Sequence, residues 1–569
     1  MKFNFCLIFS LFVILATISG CTKDEENLGV NDYQVNEIGT GAAIHSANGI
    51  TFGADGSLYI ASFLGQEIIV MNKQNGQIIN RIGLDKGVKS PDDLVFGPDG
   101  SMYWTDILLG EVVRRTPAGV VTRQFVASGV NPITFSKDGR LFVARDFTPG
   151  DGLYEIDPNL VKPPRALIAS TTANPFPLGW MNSFDFGPDG RLYGPLFLAG
   201  MVVSVNVGAP NAPFSASPWT DGTIIPLATG FKWPVAAKFN PAGVLHVLDQ
   251  TGEVFKIDIK TGAKTLFVTL QGGLDNLVFD ASGTMYVSNA DHGSITEVQP
   301  GGQTKIISKG GMISPMGLAV LPGTNNQDAL FVADLFRLRE LNGSTGQEIS
   351  VEKGHLLPEP SKLTTPFTVS ADGNKLVVSS WFNSLVQVWD PNTKKVLEEI
   401  SMPVPINAIR FKNDLVVVDL GLGGVVKASD KSMILPIDNA KVFAPGGLAT
   451  NGELLWVADW GTGTIWQISF TSGKPNAPVA VATGLLKPEG LALEQDGSLL
   501  VVETGASRLS RINLSTGEVK AVAEGLKLGA AALEGFPPTW GLDGVVVGKS
   551  GNIYVSGYGK NIIYSISKK

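Results

Sequence analysis

Six positions recur at one place in successive repeats of the first half of the chain: Asn48, Asp92, Asn131, Asn182, Val235 and Asp275, each at the start of a short apolar run. Five of the six carry a carboxamide or a carboxylate. If the apolar runs are strands set around one axis, these side chains gather into a ring of hard oxygen donors. Such a ring suits Ca2+, which takes about six to eight oxygens at about 2.4 Å and tolerates irregular geometry. Zinc, which favours sulfur and imidazole, suits it poorly. A bound Ca2+ polarises a lactone or ester carbonyl and acidifies a coordinated water, and Asp92 is the candidate general base beside it.

The elements that must position these residues are legible in the stretch Pro91–Gly119. An apolar run, a Pro-Asp-Gly turn, a second alternating run and a third after a small loop predict three antiparallel strands, because Asp-Gly supplies the positive φ that a tight hairpin needs. Copies such as Ile50–Ile60, Leu277–Val287 and Leu491–Val501 carry the same punctuation. Twelve units begin near Asn48, Asp92, Asn131, Asn182, Val235, Asp275, Met316, Thr365, Asn407, Gly446, Glu489 and Asp543. Their spacing of roughly 39 to 54 residues is that of propeller blades. In the last six units only Asn407, Glu489 and Asp543 keep good oxygen ligands, which makes that channel the weaker metal site.

In a blade, the loop into the first strand and the loop after the second strand open on one face. The second-strand ends Asp106, Arg145 and Asp249, with His292 in the corresponding loop of the sixth unit, are therefore candidate substrate contacts, Arg145 as a fork for a carboxylate. His45 lies three residues before Asn48. The column Asp106, Asp249, Asp334, Asp419 and Asp459, continued by Glu503, also reads as loop caps, since Asp readily accepts hydrogen bonds from nearby backbone amides. Three insertions, Pro163–Trp180, Gly208–Trp233 and Leu526–Trp540, each end just before a first strand; the first and third share a Phe-Pro phrase ending in Trp180 and Trp540. These aromatics suit loop packing or ligand stacking.

The units resemble NHL repeats and the blades of the senescence-marker-protein/gluconolactonase family. Lys487-Pro-Glu-Gly-Leu-Ala-Leu and Val457-Ala-Asp-Trp-Gly461 carry the resemblance, which covers essentially residues 30 to 569. It implies an all-β fold of two tandem six-bladed β-propellers with four-stranded blades, residues 33–302 and 303–569. It also implies a metal set of one Glu, two Asn and one Asp, to which Asn131, Asn182 and Asp275 correspond while Asn48 stands where the family has Glu. The lone strands Tyr33–Gly39 and Thr304–Ser308 are expected to complete blades six and twelve, the first of them on the strand Ser294–Gln299. Streptogramin lyase is similar in blade pattern, without an evident His-Glu pairing here.

Composition narrows the function. A net charge of −8, with no basic cluster, argues against nucleic acid. Residues 1–20 read as a secretory signal, and Ile18-Ser19-Gly20-Cys21 resembles the bacterial lipobox, which makes Cys21 the expected acylated N-terminus of an exported lipoprotein with a tether over residues 21–32. The following Thr-Lys-Asp-Glu-Glu-Asn resembles a signal for the outer cell surface or reads as a solvated linker. Cys6 leaves with the signal, so no thiol remains for disulfide, metal or nucleophilic chemistry in the folded part. The expectation is a membrane-anchored, outward-facing double propeller that binds a small ligand, glycan or protein partner on its channel faces. The alternative is a Ca2+-dependent lactonase or esterase using the first propeller.

Overall fold

The computed structural model describes residues 28–30, 32–146, 150–323, 327–357, 359–438, 441–529 and 541–569. Cys21, Asn31 and the Phe536–Trp540 phrase lie outside them. Apart from short 3-10 turns, the described residues form strands and loops, and twelve of the sheets are four-stranded and antiparallel.

The first blade shows how each is built. Strands β2 (Ile50–Phe52), β3 (Leu58–Ser62), β4 (Glu67–Met71) and β5 (Ile78–Ile82) follow one another as hairpins, after a strand β1 (Tyr33–Thr40) that lies outside this blade. The Ala-Asp-Gly turn between β2 and β3 closes on Gly56 at φ +75°, with Asp55 accepting the Ser57 amide at 3.1 Å. Both faces of the middle strands are buried between neighbouring blades, which is why they read as continuous aliphatic runs.

The blades form a tandem propeller. The inner strands Ile50–Phe52, Pro91–Phe96, Val130–Phe135, Asp185–Phe186, Pro234–Phe239 and Leu274–Phe279 succeed one another, and the last returns to the first. Leu318–Pro322, Thr368–Asp372, Pro405–Phe411, Pro445–Thr450, Pro488–Leu493 and Val545–Val547 close a second ring in the same way.

Ring closure departs from the sequence expectation. Thr304–Ser308 pairs with Ile295–Val298 in its own blade, and β1 pairs with Ile562–Lys568 in the twelfth blade. The division at residue 302 is corrected accordingly: residues 304–308 belong to the first ring and residues 33–40 to the second. The local hairpin wins at blade six because a tight turn at Gly302, with the Gln299 amide on the Gln303 carbonyl at 2.8 Å, closes a far shorter loop than the chain from residue 40 would. That leaves the Ile562–Lys568 edge open, and β1 fills it, burying Tyr33 and Val35 against Tyr564 and Ile566.

The chain therefore passes between the rings twice, side by side. The Ala42 amide donates to the Met312 carbonyl at 2.7 Å and the Gly41 amide to the Asn561 carbonyl at 2.6 Å. A Cβ on Gly41 would sit 2.4 Å from the Met312 oxygen, so this approach requires glycine. Buried Arg339 and Asp334 anchor the second passage: Asp334 accepts the Ile313 and Ser314 amides at 2.8 and 2.7 Å, and Arg339 donates to Asp334 at 2.6 Å and to the Gly311 carbonyl at 2.7 Å. An apolar cluster spans the two rings, with Ala42 and Leu64 against Ile313, Leu335 and Tyr558.

Candidate functional site

Each inner strand that carries a site residue is interrupted there. The ladder shifts register between Pro91 and Leu94, between Val130 and Ile133, and between Leu274 and Leu277. A bulge re-aims side chains, and here it turns two consecutive residues towards the axis. Asp92, Asn131 and Asp275, with Asn48 and Asn182, line a single cavity of about 300 Å3. Asp93, Asn276 and Ser183, each one residue further on, meet across the axis below it: Asn276 donates to Asp93 at 3.0 Å and the Ser183 hydroxyl to Asn276 at 3.0 Å. The cavity is a cup with a hydrogen-bonded floor.

A second column completes the wall. Phe63, Ile107, Asp146, Phe197, Gln250 and Ala290, all lying just beyond a second strand, line the same cavity. Asp146 is the residue missing from the sequence reading, which selected its neighbour Arg145. Side chains alternate along a strand, so one position decides the face. Arg145 turns outwards and donates to the Ser128 carbonyl at 2.8 Å. Asp106 and Asp249 likewise cap loops, accepting the Ser90 amide at 2.9 Å and the Lys232 and Trp233 amides at 2.7 and 3.0 Å. Asp334, Asp459 and Glu503 repeat the arrangement in the second ring. His292 packs beside the inter-ring passage, where burial and the nearby Arg337 and Arg339 lower its pKa to about 4. None of these four candidates, Arg145, Asp106, Asp249 and His292, lines the cavity. Trp180 does; its indole N–H donates to the Gly150 carbonyl at 3.1 Å, and Phe197 stacks on Trp233 behind it.

The cup is strongly acidic. Burial, then the charges of Asp92 and other neighbouring carboxylates, holds Asp275 and Asp146 well above the usual carboxylate range, and burial with Asp93 lifts Asp92 to about 7. Among the described residues no Lys, Arg or His lines the cavity, and Asn131 Oδ1 is buried with no hydrogen-bond partner. The donor set is all oxygen, as Ca2+ prefers. No group of three or more His, Cys, Asp or Glu among the described residues is placed to hold a metal by itself, so a cation here needs the carboxamides of Asn48, Asn131 and Asn182 as well.

The roof comes from the second ring: Phe336, Leu356, Leu357, Phe382 and Asn383 close over the cup. Arg337 pins this roof by donating to the Asp291 and Gly272 carbonyls, both at 3.2 Å.

The second ring's own channel is different. Glu489 and Asp543 are buried together, and Asn407 is occupied with the Gly446 carbonyl at 3.1 Å. Both Asp543 oxygens accept backbone amides, from Tyr558 at 2.9 Å and from Gly529, while Glu489 accepts the Asp543 amide at 2.7 Å and the Thr504 hydroxyl at 3.2 Å. Two buried carboxyls this close favour retaining one proton over carrying two charges. Burial raises both groups, Asp543 to about 8 and Glu489 well above its usual range. An unfolded chain releases this proton near pH 4, so the pair's contribution is full at acid pH and is lost as pH rises towards 8. Glu489→Gln, which keeps the bond from the Asp543 amide at 2.7 Å, is expected to flatten the stability profile and to gain on the order of 1–3 kcal/mol at pH 8.5 in denaturant titrations.

No protein-family model matches the sequence, and a comparison with curated proteins finds no match. Among solved structures, virginiamycin B lyase from Staphylococcus aureus is 12% identical over a match covering 61% of this chain and 96% of that one, with a TM-score of 0.34. A protein assigned as a gluconolactonase is 13% identical, covering 50% and 96%, with a TM-score of 0.36. The extracellular domain assigned to a one-component system of B. thetaiotaomicron is 11% identical, covering 92% and 76%, with a TM-score of 0.32.

Proposed function

We propose that the protein is a binding protein whose small ligand occupies the cavity between the first ring's oxygen cup and the second ring's loops. The observation that carries this reading is the convergence of Asn48, Asp92, Asn131, Asn182, Asp275 and Asp146 on one floored cavity, with Asn131 Oδ1 left unpartnered inside it. Concave sites with a few converging polar groups on largely apolar walls are where ligands bind, and about 300 Å3 is at the small end of their range. A ligand at roughly a hundred times its Kd adds about 2.7 kcal/mol to stability, about 5 °C in Tm for a unit of this size. A panel of sugars, lactones and divalent cations should therefore contain a compound that raises Tm by that much in the unmodified protein and not in Asn131→Ala. A panel in which every hit acts equally on both would end the proposal.

Ca2+ is the second reading, favoured by the all-oxygen donor set and the uncompensated carboxyls. A chelator should then lower Tm and calcium restore it. Lactone hydrolysis that follows calcium and disappears in Asp92→Asn would convert the binding protein into a hydrolase; calcium-insensitive melting with no turnover removes that alternative. Export and acylation at Cys21 place the molecule on a membrane surface in this proposal, and Cys21→Ser should then move it to the soluble fraction.

A further inference from the structure

The cavity is made from two unlike halves. The first ring contributes carboxylates and carboxamides from Asn48, Asp92, Asn131, Asp146, Asn182 and Asp275 beside its own Phe63, Trp180 and Phe197, while the second ring contributes the apolar roof of Phe336, Leu356, Leu357 and Phe382. The apolar half is built rather than loosely draped. Asn383 Oδ1 accepts the Thr365 and Ser380 hydroxyls at 2.6 and 2.9 Å, and its Nδ2 donates to the Leu356 and His355 carbonyls at 2.6 and 3.2 Å, tying the Leu356–Leu357 loop to the turn that carries Phe382. Phe382 stacks on Trp381 with ring centres 4.0 Å apart, and Trp381 meets Phe367 edge-on at 6.2 Å. On the opposite wall Phe197 is backed by Trp233 at 5.1 Å.

An anion finds no cationic side chain among the described residues that line this space. A purely polar ligand would leave the roof unused, and a purely apolar one would strand buried oxygens without partners. Carboxylate and carboxamide oxygens are acceptors that hold hydroxyl groups well. We propose that the ligand is an uncharged amphipathic polyol, its hydroxylated head in the first ring's cup and an aromatic or aliphatic body against Phe336, Leu356, Leu357 and Phe382 of the second ring. This rests on the binding reading above and adds that the second ring sets the specificity.

The probes are methyl and phenyl β-D-glucopyranoside, which share a head and differ in the body. Titrated calorimetrically into the full-length protein, the phenyl glucoside should bind roughly tenfold to a hundredfold more tightly, as expected for burying one ring face. Phe382→Ala should remove most of that difference by weakening the phenyl glucoside far more than the methyl glucoside. Leu357→Ser, in a loop outside the strands, serves as a second variant should Phe382→Ala lower the melting temperature. Equal affinity for the two glucosides, binding of neither, or a preference that survives both variants would overturn the proposal. Failure of the binding reading looks different: phenyl glucoside would then bind as well to Asn131→Ala as to the unmodified protein.

Discussion

A chain that starts at Gly41 is expected to melt in two separated steps, with the first ring's transition unchanged and the second ring's lowered by about 10 °C or more. Strand β1 pairs with Ile562–Lys568 along its whole length from Tyr33 to Thr40. Without it that edge exposes Tyr564, Ile566 and a row of unpaired backbone groups. Arg511, which donates to the Tyr33 hydroxyl, and Lys560, paired with Glu37 at 2.9 Å, lose partners as well. Differential scanning calorimetry separates the outcomes. Had the strand completed blade six, the first ring would melt early instead, so the identity of the destabilised transition tests the topology. Ile306→Asp, in the strand that stays within blade six, should change little, because that side chain is 64% exposed.

Replacing Arg339 by Met should cost about 3–5 kcal/mol, among the largest single-site losses available in this molecule. Arg339 is 1% exposed and its partner Asp334 is fully buried. Without the guanidinium, the Asp334 carboxylate keeps only the amides of Ile313 and Ser314, and the Gly311 carbonyl loses its donor. Breaking a buried pair on one side leaves an uncompensated charge, which is worse than having no pair. Arg339→Met combined with Asp334→Asn should therefore recover part of the loss, since an Asn oxygen still accepts the two amides. Urea unfolding of the two single variants and the double variant measures this coupling. An additive double variant would show that the ion pair does not hold the passage between the rings.

Much of the fold was legible because its signals are local. Turn residues such as Asp55-Gly56 and Asp99-Gly100, set between alternating runs, dictate hairpins whatever the rest of the chain does. The cup was legible for the same reason, since Asn48, Asp92, Asn131, Asn182 and Asp275 hold a constant place in a repeated unit. Asp146 was lost to a single-residue slip: Arg145 ends the strand, but the side chain after it faces the cavity, as Phe63 and Phe197 do after theirs. An alternation count carried one residue past each second strand would have found it. The roof had no local signal, because Phe336, Leu357 and Phe382 meet the cup only through the packing of one ring on the other. Closure was similarly ambiguous. Tyr33–Thr40 and Thr304–Ser308 are both competent edge strands, and loop length rather than side-chain pattern chose between them.

The adjacent passages at Gly41 and Gly311 make the first ring an insertion inside the second. During synthesis every strand of the first ring is available by Ser308, when the second ring has only β1, so the cup can finish folding before its roof exists. The roof then assembles over a completed floor, and β1 waits through the translation of an entire ring before its partner strand emerges. Because the two passages touch, the first ring could be excised or exchanged by joining residue 40 to residue 312 without unthreading the second. Cup and roof are thereby separable parts of one chain.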